Sequence, residues 1–329
     1  MTFRYNNVYI NNVGTVTGPY EAKGTFSKLF DKSYDDFYFG TKSWEQAESK
    51  LIMDSVDIVL SKMAKTKFDI DVHLCGDLLN QLVATNYAAS NLAIPLMGIY
   101  AACATNNLAL IIGANMVESS QIKNCICTTS SHNNAAEKQF RNPVEYGGPK
   151  PITSTFTSTG AASAYLSYDK RGIKIESATL GRVIDMGSKN VFHMGAVMAP
   201  AAAKTIYDHL NDTKRKIDYY DLILTGDLGI YGKKIFKDYM ESEYGIKLNN
   251  YEDAGSILYD MSKQNVYAGA SGPATMPLVT YSYVFDRMKK KELNRVLIIA
   301  TGALMNTTMV NQKLTIPAVA HAVSLEVVE

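Results

Sequence analysis

Asp71-Val-His-Leu-Cys-Gly-Asp-Leu78 is the stretch from which the fold can be inferred, because its pattern returns as Tyr220-Asp-Leu-Ile-Leu-Thr-Gly-Asp-Leu228. Each stretch is a short run rich in β-forming residues that ends in Gly-Asp-Leu. A helical pattern precedes each of them. In the first half, apolar residues recur at helical spacing from Trp44 to Met63, and Ser43 stands where a capping residue is expected. In the second half, the helical pattern runs from about Pro200 to Leu210. A unit that recurs within one chain indicates an internal duplication.

The parallel continues on both sides of the two Gly-Asp-Leu runs. Strands open both halves, and a helix followed by a strand comes after each run. The matched elements are the strands Val8–Val16 and Ile173–Val183, the helices 104–119 and 274–290, and the strands Lys123–Thr129 and Arg295–Ala300. Alternation of strands and helices predicts right-handed βαβ units on mostly parallel sheets. An α/β chain without duplication would look similar, but the shared Gly-Asp-Leu favours duplication.

We therefore predict an α/β chain with two equivalent βαβαβ halves, residues 1–170 and 171–329. A long loop at about residues 130–159 interrupts the first half. It is polar at its start and rich in glycine, proline, serine and threonine later. Loops of this length inside compact domains are usually functional or disordered. This one carries His132 and Arg141, which favours a functional loop.

Composition excludes several classes of protein. The 329 residues suffice for about two domains, and 33 basic against 32 acidic residues exclude nucleic-acid binding through bulk positive charge. The longest apolar runs are too short for a membrane helix, and the first twelve residues do not resemble a secretory signal. Four cysteines do not make a disulfide scaffold, so a reducing, intracellular setting is expected.

No metal site or cofactor is expected from the sequence. Cys125 and Cys127 form a Cys-x-Cys pair on a predicted strand, but no second Cys/His pair lies near them in sequence. The five histidines are scattered along the chain.

Cys103 is the candidate for reactive chemistry. It lies in a turn of small residues, where a buried strand ends and an apolar helix begins. A cysteine at a helix N-terminus faces unpaired N–H groups and the positive end of the helix dipole, which favour a thiolate. The same N–H groups can bind a carboxylate or an oxyanion. The alternative is a buried cysteine that acts as a small apolar side chain.

The turn around Cys103 resembles the nucleophile turn of the thiolase superfamily. The second half also resembles that superfamily, over Asn190–Ala202 and Asp221–Leu228. Most of the chain, from about Gly14 to His321, resembles a branch of the superfamily that acts in sporulation. The motifs that carry this closer resemblance are Gly76–Gln81, Thr129–Asn133, Glu145–Gly148, Met198–Ala202 and Ala300–Leu304.

The resemblance implies a thiolase fold, a layered α-β-α-β-α sandwich of the two halves. It also implies binding of dipicolinate (pyridine-2,6-dicarboxylate), possibly as its calcium chelate, and a role in uptake of this compound into the developing spore. The implied partners are integral membrane proteins of the same transport system. Through them the protein is expected at the inner spore membrane, inside the forespore or spore.

The chain departs from catalytic members of the superfamily. They supply a histidine with a second cysteine, or a histidine with an asparagine, from the second half. Here the turns Gly269–Pro277 and Ala300–Leu304 lack both histidine and cysteine, and Asp227 stands where a histidine or asparagine is expected. A nucleophilic cysteine needs a base within reach. The prediction is therefore a binding protein, not an enzyme, with Cys103 at a vestigial nucleophile position.

Two other functions remain open from the sequence. One is an acyl-CoA-dependent acyltransferase of the thiolase or ketosynthase type, with Cys103 as the acylated residue. The other is a scaffold with a vestigial pocket in a sporulation membrane complex.

A dicarboxylate needs donors or cations at both ends and apolar walls between them. The helix N-terminus at Cys103 can serve one carboxylate, and Arg141, Lys138 or His132 of the long loop can serve the other, with Arg141 favoured for its fork geometry. Asp77 and Asp227 lie in matching turns, where they would bind backbone N–H groups, bind calcium or simply fix the turns. Met198 is predicted to line the pocket or the core.

A homodimer is also expected. Proteins of the thiolase fold generally dimerise through an edge strand, and the resemblance assigns that strand to Lys123–Thr129.

Overall fold

The structure is a computed structural model that describes residues 1–140 and 150–328. Its strands are β1 Thr2–Arg4, β2 Tyr9–Thr17, β3 Lys32–Ser33, β4 Val72–Gly76, β5 Leu96–Gly98, β6 Asn124–Ser131, β7 Phe156–Thr157, β8 Gly160–Ser167, β9 Ile173–Thr179, β10 Leu222–Thr225, β11 Tyr251–Asp253, β12 Ala270–Ser271, β13 Arg295–Ala303 and β14 Ala318–Val327. Its helices are α1 Trp44–Met63, α2 Val83–Leu92, α3 Thr105–Glu118, α4 Asn133–Phe140, α5 Met194–Thr213, α6 Gly229–Tyr244, α7 Ala254–Ile257, α8 Thr275–Val279, α9 Phe285–Lys289 and α10 Thr307–Asn311. A π-helical turn, Thr280–Val284, joins α8 to α9.

The two halves build sheets with the same strand order. The first half is ordered β5-β4-β6-β8-β2, and the second half is ordered β11-β10-β13-β14-β9. In both sheets the first three strands of this order are parallel to one another. The next two pairings, which lead toward the junction of the halves, are antiparallel. The halves join where β2 pairs with β9 over two residues. The expectation of mostly parallel sheets was therefore wrong, because the last strand of each half returns antiparallel without a crossover helix.

Helices lie outside and between the two sheets. Helices α1 and α2 pack together over the first sheet, and α5 and α6 pack together over the second. Helix α3 contacts strands of both halves, β4, β6 and β8 on one side and β13 and β14 on the other. The segment α8–α9 also contacts the first-half strands β2 and β8 through its first helix and its π turn. This arrangement is the predicted α-β-α-β-α sandwich.

Helix α3 is apolar on nearly all sides because sheets cover it on both sides. Two buried asparagines anchor it to the second half: the Asn106 side-chain oxygen accepts from the Tyr281 hydroxyl at 3.0 Å, and Asn107 binds two strands. The Asn107 amide donates to the carbonyl oxygens of Ile298 and His321, at 3.0 and 2.7 Å. These bonds tie the central helix of the first half to neighbouring strands of the second.

The assignment of the edge strand to Lys123–Thr129 was wrong. The corresponding strand β6 lies between β4 and β8 and is buried along its whole length. The edge of the first sheet is β5, whose three residues are all exposed. Strand β6 is internal because the chain returns after the long loop as β8, which pairs antiparallel with β6 and in turn with β2.

Two further boundaries differ from the sequence expectation. The loop expected at about 130–159 contains helix α4, which begins directly after β6. Helix α5 begins at Met194, so that Pro200 lies inside the helix and not at its start.

Candidate functional site

Cys103 lies in a tight turn between β5 and α3. Ala102, the residue before it, has a positive φ of 50°, which is strained for a residue with a Cβ atom. Thr105 stabilises the turn, because its hydroxyl donates to the Ala102 carbonyl at 2.6 Å and accepts from the Ala101 N–H at 3.0 Å. Gly302 of the second half packs so close to the Ala101 carbonyl that a Cβ atom there would overlap it. Both halves therefore hold Cys103 in place.

Cys103 is partly exposed in a cavity of about 430 Å³, counting its open mouth. The wall is mostly apolar and comes from both halves: Leu78, Tyr100, Ala102, Cys103, Ala136, Phe140, Thr157, Met194, Ser271, Gly272, Ala303 and Met305. Its polar side-chain groups other than the thiol are the hydroxyls of Tyr100, Thr157 and Ser271. No Lys, Arg, Asp, Glu or His is among these described wall residues.

Asp227 lies directly behind this wall and is fully buried. Its carboxylate accepts from the Thr301 hydroxyl at 2.7 Å and from the Gly272 N–H at 3.0 Å, and it forms a side-chain hydrogen bond with Cys103. Burial raises the pKa of Asp227 to about 6, although these hydrogen bonds act in the opposite direction. Cys103 is thus hydrogen-bonded to the carboxyl group of Asp227. Catalytic relatives were expected to supply a histidine or asparagine at this place.

A second buried acid, Asp253, lies close to Asp227. Its carboxylate accepts from the Thr225 hydroxyl and from the N–H groups of Leu228 and Gly229, at 2.7 to 3.0 Å. Burial, aided by the negative charge of Asp227, raises the pKa of Asp253 to about 7. The carboxyl groups of Asp227 and Asp253 therefore both have pKa values raised toward neutral pH.

Asp77 holds its own turn and does not line the cavity. Its carboxylate accepts from the backbone N–H groups of Leu79 and Thr85, at 2.7 and 2.8 Å. Within the described chain, no three His, Cys, Asp or Glu side chains approach closely enough to hold a metal ion. The neighbouring Leu78 reaches the cavity wall instead.

His132 is buried away from the cavity wall. Its Nε2 lies 2.8 Å from the Phe37 carbonyl oxygen, and its ring packs against Phe37 and Phe39. Burial lowers the pKa of His132 to about 4, so the ring is neutral at physiological pH. From the same helical segment, Ala136 and Phe140 reach the wall.

Met198 lies in the second-half core, one turn beyond Met194, which lines the cavity. Arg141 lies outside the described residues. Lys138, the other basic candidate near it, forms an exposed ion pair with Glu45 at 2.9 Å. Ligand-binding roles for Met198, Arg141, Asp77, Asp227 and His132 stay predictions.

Sequence reasoning did not identify Thr157 and Ser271 as wall residues. Thr157 ends β7 and Ser271 ends β12, and these two short strands pair in parallel at that point. The signals available were weak: Thr157 belongs to a Ser/Thr-rich run, and Ser271 follows Gly269 in the turn noted for its lack of histidine. Only the pairing of the two strands brings the hydroxyls to one end of the cavity.

The mouth of the cavity carries amide side chains and an unusual backbone. Gln81 and Leu82 both have positive φ values, 58° and 55°. Asn80, Gln81 and Asn306 line the opening, and Tyr100 and Phe140 extend from the opening into the cavity. Consecutive strained residues of this kind are concentrated at functional sites.

Helices long and apolar enough to cross a membrane were sought in the described chain, and none was found.

Comparison with known proteins gives consistent results. The family model described as stage V sporulation protein AD matches residues 1–326. Stage V sporulation protein AD of Bacillus subtilis (strain 168) is 45% identical over 319 residues, which cover 97% of this chain and 94% of that protein.

Solved structures of low sequence identity share the fold. A variant of OleA from Xanthomonas campestris has a TM-score of 0.62 at 12% identity and covers 98% of this chain and 99% of its own. The 3-oxoacyl-(acyl carrier protein) synthase III of Xanthomonas oryzae has a TM-score of 0.61 at 12% identity, with 98% and 100% covered. The corresponding synthase of Aquifex aeolicus has a TM-score of 0.55 at 13% identity, with 99% and 100% covered. These likenesses confirm the predicted thiolase-like fold.

Proposed function

Because this chain belongs to the stage V sporulation protein AD family, we propose that it is a sporulation protein that binds dipicolinate in the Cys103 cavity without chemical turnover. On this proposal it serves uptake of dipicolinate into the developing spore. It works there with integral membrane proteins of the same transport system, at the inner spore membrane.

The polarity of the cavity is the observation that carries the proposal. Thr157 and Ser271 contribute hydroxyl groups to the same wall as Cys103, and Tyr100 and Phe140 supply aromatic surface. A flat aromatic acid needs this combination, since one end must be hydrogen-bonded while the ring is desolvated. Arg141, which follows α4 in the sequence, is proposed to bind the second carboxylate.

The group next to Cys103 disfavours nucleophilic catalysis. A thiol nucleophile requires a partner that accepts its proton, and acyl transfer also requires donors for the developing oxyanion. Asp227 is bonded to Cys103, and an ionised carboxylate there would repel both a thiolate and an oxyanion. No histidine is among the wall residues that the structure describes.

One observation favours a second candidate, an acyltransferase. Cys103 is partly exposed in the cavity at the start of α3, as an acylated cysteine would need to be. This candidate is tested alongside the first.

Calorimetric titration with dipicolinate, with and without calcium, tests the proposal. We expect saturable binding by the wild type, little change in Cys103→Ala, and a loss of about tenfold in Ser271→Ala, since one buried hydrogen bond contributes about 1 to 1.5 kcal/mol. Arg141→Ala should also weaken binding. Ser242→Ala, an exposed serine on α6, is the matched control.

The same preparations are incubated with acetyl-CoA, and intact mass is measured. A stable acyl adduct that disappears in Cys103→Ala, together with no dipicolinate binding, would replace the proposal by the acyltransferase.

We also propose a homodimer, formed through the exposed edge strand β5 in place of the strand first expected. Leu96 and Met97 give this edge an apolar surface, and an unpaired strand edge invites pairing with a second copy.

A further inference from the structure

A short ribbon lies beside the cavity mouth in the second half. After β9 the chain runs antiparallel to residues 314–318, and Ile184 and Ala318 exchange both backbone hydrogen bonds at 2.8 Å. The Ile316 N–H donates to the Ser188 carbonyl at 2.8 Å. The Thr315 hydroxyl donates to the Asp185 carboxylate at 2.5 Å. These bonds hold the two segments of the ribbon together.

Large apolar side chains project from this ribbon and from the adjacent α10. Val183, Met186, Met309 and Leu314 are 58%, 61%, 43% and 51% exposed. None of them lines either cavity described above, so they face solvent. At Gly187, beside Met186, a Cβ atom would meet nothing within 4 Å, which places the tip of the ribbon in solvent.

Positive charge surrounds these apolar side chains. Arg182, Lys189 and Lys313 are exposed, and none forms an ion pair with another described residue. Asp185 is the one acid in segments 180–190 and 307–315. Its carboxylate is already engaged by Thr315 and by the Gly187 N–H at 2.9 Å. The surface therefore has a net positive charge around an apolar tip.

We propose that these seven residues form a bilayer-binding rim that rests directly on an anionic lipid surface. The rim consists of Val183, Met186, Met309, Leu314, Arg182, Lys189 and Lys313. An exposed apolar tip can enter the interfacial region of a bilayer while flanking cations bind anionic headgroups. The excess of unpaired positive charge around the apolar side chains complements an anionic lipid surface.

The segments that carry the rim are adjacent in sequence to residues of the Cys103 cavity. Met194, directly after the ribbon segment, and Met305, directly before α10, both line the Cys103 cavity. A protein held by the rim would thus turn the mouth of its cavity toward the membrane. This inference is independent of which ligand the cavity binds.

Co-sedimentation with lipid vesicles tests the rim. Wild-type protein is mixed with vesicles of phosphatidylcholine alone or of phosphatidylcholine with phosphatidylglycerol. We expect binding to the anionic vesicles that weakens as salt is raised. Replacing Arg182, Lys189 and Lys313 together by glutamine should lower the partition coefficient roughly a hundredfold, because each basic residue near such a surface contributes about 1 kcal/mol. Met186→Asp combined with Leu314→Asp should also abolish binding.

Phe68→Asp is the matched control. Phe68 is 85% exposed and has Lys67 over its ring, but it lies at the opposite end of β4 from the cavity. This variant should bind anionic vesicles as the wild type does.

Absence of vesicle binding by the wild type, or equal binding by the wild type and the rim variants, would overturn the proposal. Self-association that the Met186→Asp and Leu314→Asp changes remove would also overturn it, by assigning the rim to a second copy of the chain. Because all these residues are exposed, circular dichroism should show native folding in every variant. Dipicolinate titration of the same variants keeps this test separate from that of the cavity.

Discussion

At the scale of single residues, Asp227 sets the character of the site. A histidine or asparagine at this position could assist a nucleophilic cysteine, whereas Asp227 holds the cavity wall through Thr301 and Gly272 and bonds to Cys103. Burial raises the pKa of Asp227 to about 6 and that of the neighbouring Asp253 to about 7. The charge behind the cavity therefore depends on pH near neutrality.

We predict that dipicolinate binds more tightly as pH falls from about 7.5 to 5.5. Protonation of Asp227 and Asp253 removes negative charge that repels a dianion, and one unit charge in a protein environment can change affinity by roughly tenfold. The measurement is calorimetric titration across this range. Asp227→Asn should bind more tightly at pH 7.5 and show a smaller pH dependence than the wild type. An equally steep pH profile in Asp227→Asn would show that other groups, on the ligand or the protein, cause the dependence.

At the scale of elements, small residues decide how closely helices approach. Helices α5 and α6 cross where Gly195 of the first faces Gly232 of the second. A Cβ atom at Gly232 would lie 2.6 Å from the Gly195 Cα atom, which is backbone and cannot rotate away. The layer outside the second sheet depends on this crossing.

Gly232→Ala should destabilise the protein by about 1 to 3 kcal/mol, the usual range for overpacking a tight contact. Urea unfolding followed by circular dichroism gives the change in free energy. Gly98→Ala is the control, because a Cβ atom there meets only the flexible end of the Leu82 side chain. If Gly232→Ala proves as stable as Gly98→Ala, the two helices can separate without cost and the close crossing is not required.

At the scale of the whole molecule, the two halves form one body with one open sheet edge on each side. The largest hydrophobic cluster contains residues of both halves, among them Leu110 of α3 and Ile298 of β13. The outer edges are β5 and β11. Of these, β5 has three exposed residues, while Asp253 of β11 is buried.

Pairing of β5 with a second copy predicts a dimer in light scattering. Leu96→Lys combined with Met97→Lys should shift the protein toward monomer, because like charges across the paired edges repel and the apolar contact is lost. Tyr168→Lys, which changes an exposed aromatic residue outside the strands, should leave the dimer intact. A dimer that persists in the double variant would place the interface elsewhere.

Several features of this protein follow from local sequence alone. Repetition of Gly-Asp-Leu indicated two equivalent halves, apolar spacing from Trp44 to Met63 matches α1, and the turn before Thr105 singled out Cys103. The duplicated fold and helix α1 are confirmed because helical periodicity and strand composition are properties of neighbouring residues, whereas the role of Cys103 stays a prediction.

Only the tertiary structure decided which strands are neighbours and which side chains line the cavity. Pairing with β8 places β6, the expected edge strand, inside the sheet. Pairing of β7 with β12 brings Thr157 beside Ser271. The sequence suggested ligand-binding roles for His132, Asp77 and Met198, but none of them lies on the cavity wall. His132 contacts a backbone carbonyl, Asp77 binds backbone N–H groups, and Met198 packs in the core. Contacts between distant segments depend on how all the layers pack together, and no local pattern in a single sequence encodes that packing.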